Sequence, residues 1–396
     1  MNILVTSLCF YPDNFRINDI VDELVKQGHN VTVLTGLPDY TTSKIPREYK
    51  WFRNRRQRIF GAKVIRVPII ARRQGLFFRI LNYSSFVITS SIYALFTKCK
   101  DIDAIFSYQT SPVFQSIPAL IFRKRTKKKF VLYCCDIWPE CLKAWNVKED
   151  SIVFKIVHWI SKKIYNSCDT LAISSTSFRE YLTNVCEVND DKIKYLPQHA
   201  EDLYSDICGE YVDNGCVDFL FAGNIGAVQN IDCILKAVKQ VKTEKEFKVH
   251  IVGDGSSLQE CKLLVKELEI EDRVVFHGRH PLEKMEDFYK MADCFLLTLR
   301  GDSFIGMTLP AKAQGYLSAG KPILGAINGS AQEMIVEADC GECVNAGDFI
   351  TLAQKMEHII ENFDQYKIKG LNGRRFYEEN FTKEKFMDNM LKLLRN

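Results

Sequence analysis

Apolar runs of five or six residues recur along this chain, and stretches whose apolar residues repeat at helical spacing separate several of them. Asn2–Ser7, Asn30–Thr35, Ala104–Tyr108, Lys129–Cys134 and Thr170–Ser174 are of the first kind, while Asn18–Gln27 and Ile152–Asn166 are of the second. A strand that is apolar at nearly every position has to be covered on both faces, and helices between such strands supply the cover. Gly28-His29 stops one helix and leads straight into the next strand. After Lys192–Leu196 comes a polar stretch, 201–215, and then the pattern restarts with Val217–Ala222, Lys248–Val252, Arg273–His277 and Cys294–Leu299. A chain of 396 residues is long enough for two domains. The expected architecture is α/β, with two doubly wound domains joined near Gln198–Gly215. The boundaries fall at 1–205 and 206–378. A C-terminal helix over 379–396 has no strand after it and is free to pack on either domain, the first included. Ligands of such sheets bind beyond the carboxyl ends of the strands, so a cleft between the domains is expected.

Composition narrows the function classes. A net charge of +4 makes no case for nucleic acid, and no recognisable nucleic-acid module accompanies it. The fourteen cysteines are scattered and form no pair of CxxC motifs, so they read as reduced, buried thiols of a cytoplasmic protein rather than a zinc site or a disulfide framework. The opening MNILVTSLCF lacks the basic start of a signal peptide. Ile80–Phe96 is uncharged but carries Asn, Thr and four serines, and is not expected to span a membrane. Between Trp51 and Lys100 there is no acidic residue, while arginines and lysines interleave with aromatics. Such a surface suits the anionic face of a membrane; a solvated face over an ordinary core helix fits it too.

Three segments of the second half place glycine or a cation at the end of a strand, and a fourth places a cation at a helix start. FAGNIGAVQN carries Gly223, Asn224 and Gly226, IVGDGSS carries Gly253 and Asp254, and VFHGRH carries Gly278 and Arg279. Glycine permits a tight turn and close approach, and the helix that follows offers free N–H groups to an anion. A bare β–α turn would use glycine as well. In TLPAKAQGYLSAGKPILG, Thr308, Leu309, Pro310 and Ala311 lead into a helix, with Pro310 suited to its first turn and Lys312 at the same end. With Arg279, Lys312 would meet a nucleotide diphosphate. In the first half, Asn14, Arg16 and Asp19 follow the opening strand, and Asp136 and Trp138 follow the strand in VLYCCDIWPEC. They suit a sugar, as carboxylate and stacking ring; a helix N-cap with a packed Trp fits the same residues.

Taken with PDNFRINDIVDELVKQGHNVTVLTGLPDY, CCDIWPE, YLPQHAEDLY and LPAKAQGYLSAGKPILGAINGSAQEMI, these segments resemble the GT-B glycosyltransferases of the large retaining family 4. Within it they are similar to bacterial O-antigen, lipopolysaccharide and capsule enzymes, including those that transfer N-acetylfucosamine. The resemblance covers nearly the whole chain. It implies two Rossmann-like domains facing a central cleft and transfer of a sugar with retention. The donor would be a UDP-sugar, bound as a substrate, with neither metal nor cofactor. The acceptor would be a polyprenyl-diphosphate-linked saccharide at the inner face of the cytoplasmic membrane, with the 51–100 region on the headgroups. Asp136, Lys312 and Arg279 would carry the chemistry, with Asp136 orienting a sugar during front-side attack. Two departures stand out. The family's paired glutamates fall near Met307 and on Gly315, and the cations usual after the first glycine turn are replaced by Asn224, Gln229 and Asn230. Glu333 is a possible substitute carboxylate. A UDP-sugar epimerase of the same fold, or a catalytically silent nucleotide-sugar-binding partner in a polysaccharide complex, remain rival readings. A dinucleotide oxidoreductase lacks its GxGxxG.

Overall fold

A computed structural model describes residues 1–395 except 42, 74, 100 and 302–307. The chain divides into two compact units. One comprises residues 1–196 and the end of the chain from Met387; the other runs from Pro197 to Phe386.

In the first unit β1 (Asn2–Thr6), β2 (Asn30–Thr35), β3 (Arg56–Ile59), β4 (Ala62–Arg66), β5 (Ala104–Gln109), β6 (Lys129–Cys134), β7 (Thr170–Ile173) and β8 (Ile193–Tyr195) form one sheet. Its order is β3-β4-β2-β1-β5-β6-β7-β8. All neighbours are parallel except β3 and β4, which pair antiparallel at this edge. The reason is a two-residue turn, Phe60-Gly61, with both residues at positive φ (51° and 77°). Such a turn matches the twist of a hairpin. β3 then exposes Arg56 and Arg58, and charge on an edge strand discourages further pairing.

The helices of this unit are α1 (Arg16–Lys26), α2 (Leu76–Phe96), α3 (Ile117–Thr126), α4 (Ile152–Ser167) and α5 (Phe178–Asn184). In α1, Ile17, Ile20, Val21 and Leu24 recur at helical spacing and are all buried, and Gly28 at φ 81° ends the helix. Truncating Ile20 to Ala would cost about 2–5 kcal/mol through the cavity it leaves. β5 and β6 are buried throughout or nearly so, as central strands between two layers of helices must be. No helix among the described residues is long and apolar enough to cross a membrane, and the uncharged stretch noted above forms most of α2.

The second unit holds β9 (Val217–Ala222), β10 (Phe247–Val252), β11 (Val274–Gly278), β12 (Cys294–Thr298), β13 (Ile323–Ala326) and β14 (Gly341–Val344), in the parallel order β11-β10-β9-β12-β13-β14. Around them lie α6 (Ile231–Gln240), α7 (Leu258–Glu267), α8 (Met285–Met291), α9 (Ala311–Ser318), α10 (Ser330–Glu337), α11 (Phe349–Glu361) and α12 (Phe363–Asn380). The last helix, α13 (Lys383–Arg395), begins in this unit and contributes its later turns to the first. Alternation along β9 feeds two cores, with Phe219 and Phe221 on one face and Leu220 and Ala222 on the other. All fourteen cysteines are free, and many, such as Cys134, Cys233 and Cys294, are buried.

Candidate active site

The carboxyl ends of β9, β10 and β11 are laced together by glycines. Gly223 N–H donates to Val252 O at 2.9 Å, and Gly253 N–H donates to Gly278 O at 2.9 Å. A Cβ on Gly253 would lie 1.8 Å from Gly223 O, so no side chain fits there; its φ of 145° also suits glycine alone. Gly278 follows at φ 74° and hands the chain to Arg279, which is exposed, as is Asp254 beyond β10. The Asp254 carboxylate accepts from Gly255 N–H at 2.8 Å.

The first turn, after β9, is tied to itself. Gln229 Oε1 accepts from Gly226 N–H and from Asn224 Nδ2, both at 3.2 Å. Two of the polar residues standing where the resemblance would place cations therefore hold the loop together, and the third, Asn230, supplies a left-handed residue (φ 55°) before α6.

Lys312 comes to this turn from the start of α9. A Cβ on Gly223 would lie 3.0 Å from Lys312 Nζ, so the lysine tip stands directly against the glycine. Nζ also sits 3.6 Å from the centroid of the Phe221 ring. The stem of the residue is partly exposed, but Nζ is shut off from solvent and has no hydrogen-bond partner among the described residues. Burial pushes its pKa down to about 7. An ammonium without hydrogen bonds inside a protein is costly, and an incoming anion is what would relieve it. Pro310 is the N-cap of α9, one residue before the first turn expected for it. Thr308 and Ala311 flank it, and Leu309 is buried in the core beneath.

Met307 lies outside the described residues. Gly315 is inside α9, and a Cβ there would meet Tyr204 at 3.2 Å and the Tyr289 hydroxyl at 3.3 Å. Those two rings stack with centroids 4.1 Å apart and 6° between planes. An aromatic stack thus occupies the space into which a glutamate at 315 would project. Tyr316 stacks on Phe295, and its hydroxyl accepts from Ala222 N–H at 3.0 Å, pinning α9 to the end of β9. Glu333 is exposed in the first turn of α10, beyond β13. Glycine turns and Lys312 are thereby brought together, while Arg279 follows β11 and Glu333 lies in the first turn of α10, after β13. A hollow of about 330 Å³ lies beside Gly226, lined among others by Ser257, Glu260 and Arg300. A larger one, about 490 Å³, opens at the amino ends of β9 and β12 among Tyr211, Asp293 and Lys367. Its size does not make it the site, because ligands of such sheets bind at the opposite ends of the strands.

In the first unit, Asn14, Arg16 and Asp19 sit in the loop and first turn that follow β1, with Asn14 exposed. Two buried carboxylates that sequence reasoning missed build this end of the sheet. Asp13 accepts from the N–H groups of Asp39, Tyr40 and Thr41 at 3.2, 3.2 and 2.9 Å. Asp39 accepts from Arg72 N–H at 2.6 Å and Asn82 Nδ2 at 2.8 Å, and burial raises its pKa to about 6. Asp39 belongs to the LPDY end of the first family-like segment, which was the only signal available for it.

Asp136 follows β6, and its carboxylate accepts from Ser111 Oγ at 2.8 Å. Burial raises its pKa and the Ser111 bond offsets part of that rise. Trp138 does not present a ring to a sugar. It is 2% exposed, its indole N–H donates to Ser111 Oγ at 3.2 Å, and its ring packs between Phe114 and Trp145. The stacking role expected of it is replaced by that of a brace: Trp138 holds Ser111, and Ser111 holds Asp136. Tyr165 completes the arrangement by accepting from Trp138 N–H at 3.0 Å. Among the described residues, no three His, Cys, Asp or Glu side chains stand together in a way that could hold a metal.

Comparisons with known proteins bear on the fold. Residues 213–376 match the family model described as Glycosyl transferases group 1. The chain is 29% identical over 269 residues to the probable glycosyltransferase WbjE of Pseudomonas aeruginosa, covering 64% of this chain and 65% of that protein. It is 21% identical over 338 residues to the putative colanic acid biosynthesis glycosyl transferase WcaI of Escherichia coli K12, covering 81% and 82%. Among solved structures it superposes on Anabaena HepE, determined in complex with UDP and glucose, with a TM-score of 0.70 at 14% identity over 100% of this chain and 99% of that one. At that identity the likeness speaks for the fold: two Rossmann-like units of the GT-B kind. The second unit carries the glycosyl transferases group 1 segment.

Proposed function

We propose that this chain is a retaining glycosyltransferase that moves a sugar from a UDP-sugar to a polyprenyl-diphosphate-linked saccharide in the building of a bacterial surface polysaccharide. The observation that carries the donor half is Lys312. Its Nζ is enclosed, lacks hydrogen bonds among the described residues and stands against the Gly223 turn at the N-terminus of α9. Such a group is built to meet an anion, and the HepE complex shows a UDP ligand on a protein of this fold. As the bond between the anomeric carbon and the diphosphate oxygen breaks, charge develops on the diphosphate, where Lys312, Arg279 and the α9 N–H groups would stabilise it. The acceptor hydroxyl forms the new bond on the same face and passes its proton to a donor phosphate oxygen. Asp136, fixed by Ser111, orients a sugar hydroxyl. N-acetylfucosamine is the donor sugar that the family likeness favours.

The test is incubation of the purified chain with a panel of UDP-sugars and polyprenyl-diphosphate-N-acetylglucosamine, without added metal, followed by mass spectrometry. A product heavier by one sugar names the donor. Binding of one UDP-sugar with no product on any acceptor would support instead a silent binding partner, the reading that glycine at 315 favours. Conversion of one UDP-sugar to another would make the chain an epimerase.

A further inference from the structure

The first unit keeps three helices on one side of its sheet, α2, α3 and α4, each packed on the next in sequence. None of the three contains an Asp or Glu. In a folded domain, long helices normally turn charge outward and apolar residues inward. α2 does not. Its inward face buries Asn82, Tyr83, Phe86, Ser90 and Ala94, while Phe77, Ile80, Ile88, Ile92, Leu95 and Phe96 are exposed, the last at 83%. With exposed Ser84 between them, these residues form one stripe down the helix at steps of three and four. α4 repeats the feature, with Ile152, Val153, Ile156 and Trp159 exposed.

Cations border both stripes. Arg79 of α2 lies over the ring of Trp145, just before α4, at 5.7 Å, and Lys163 lies over Trp159 at 3.7 Å. At the far end of α2, Arg125 donates to the carbonyls of Ala94 and Thr97, bringing the exposed Lys124, Lys127 and Lys128 beside Phe96. By contrast, Arg56, Arg58 and Lys63 of the sequence-defined basic region lie on the β3–β4 edge hairpin, and Arg66 is buried.

The geometry points to the α2–α4 face as a surface that lies flat on an anionic bilayer, with both apolar stripes among the acyl-chain boundary and the lysines and arginines at the headgroups. An apolar stripe bordered by cations, with the exposed acids Glu149 and Asp150 confined to the loop before α4, fits that occupant better than a second copy, whose matching face would bring the same cations together. The inference rests on this unit alone and does not depend on the donor site.

The test is flotation of the full chain with vesicles of phosphatidylcholine, and with vesicles of phosphatidylcholine and phosphatidylglycerol in equal parts. The chain should float with the mixed vesicles only. Ile88→Glu with Ile92→Glu, both exposed and so harmless to folding, should lower partitioning by more than about tenfold. Lys127→Glu with Lys128→Glu should lower it several-fold and leave less for salt to remove. UDP binding of these variants, measured separately, should stay unchanged. Equal flotation with both vesicle types, no flotation of the wild-type chain, or a dimer that the apolar variants abolish without any vesicle binding would each overturn the proposal.

Discussion

Lys312 makes a quantitative prediction about protons. Its pKa stands at about 7 instead of 10.5, so at neutral pH half of the free chains carry it uncharged. A diphosphate against Nζ would restore the charge and bring the pKa back toward its ordinary range. UDP binding should then take up roughly half a proton at pH 7 and about 0.9 at pH 8. Affinity should fall with rising pH above 7, by up to about tenfold per unit, and level off below 7 as far as this group is concerned. Titration calorimetry in two buffers of different ionisation enthalpy reads the proton count directly. Lys312→Arg, which stays charged, should abolish the uptake, and Lys312→Met should weaken UDP by about 10–100-fold, the worth of a charged hydrogen bond. Stability gives the opposite sign. The lowered pKa means that the unfolded chain binds more protons between pH 7 and 10.5, so stability rises across that window. Burying the charge costs on the order of 5 kcal/mol at lower pH. Lys312→Met should therefore raise the melting temperature more at pH 6 than at pH 10. Buffer-independent binding enthalpy in the wild-type chain, or the same Met effect at both pH values, would refute the reasoning.

Other outcomes follow from the packing. Gly253→Ala drives a methyl to within 1.8 Å of Gly223 O, and should cost more than about 3 kcal/mol in urea unfolding and remove UDP binding. Gly315→Glu, which restores the family's acid, should lower both stability and transfer because Tyr204 and Tyr289 fill its space; a gain in transfer would sink that account. Asp39 has its pKa raised to about 6, so its neutral form suits the fold, and stability is lost as pH rises from its unfolded value to 6. Asp39→Asn should then gain on the wild type between pH 4 and 6, by up to about 3 kcal/mol, and hold that lead above pH 6 in thermal melts. Asp136→Asn keeps an acceptor for Ser111 and should reduce transfer by about 100-fold while leaving the UDP dissociation constant as it was.

The strands most legible in the sequence were those buried on both faces. Lys129–Cys134 and Val217–Ala222 form strands with the limits expected because their mostly apolar runs leave little choice of end, and Asn30–Thr35 does so because its alternating Val31 and Val33 start just after the helix stop at Gly28. The β3–β4 hairpin went unread, since RRQRIFGAKVIR shows an edge strand's charges before it shows its alternation. At the site, glycines declare themselves locally: a turn that needs positive φ names its residue. Lys312 was visible for the same reason, at a helix start after Pro310. The Tyr204–Tyr289 stack and the Ser111 brace were not, because each joins residues far apart in sequence through contacts that only the folded sheet creates. Trp138 was misjudged on that account. A tryptophan beside an acid looks the same in sequence whether its ring is open or enclosed.

The division of the chain has a consequence in time. The first unit is made first, yet Met387, Met390, Leu391 and Leu394 of α13, all buried, belong to it and leave the ribosome only after the whole of the second unit. At roughly 5–20 residues per second, some tens of seconds separate the emergence of Leu196 from that of the helix that completes its unit. During that interval the second unit, continuous from Pro197 to Phe386, can finish folding while the older half waits. A stop codon anywhere before Met387 would leave the older half permanently short of its final apolar cover.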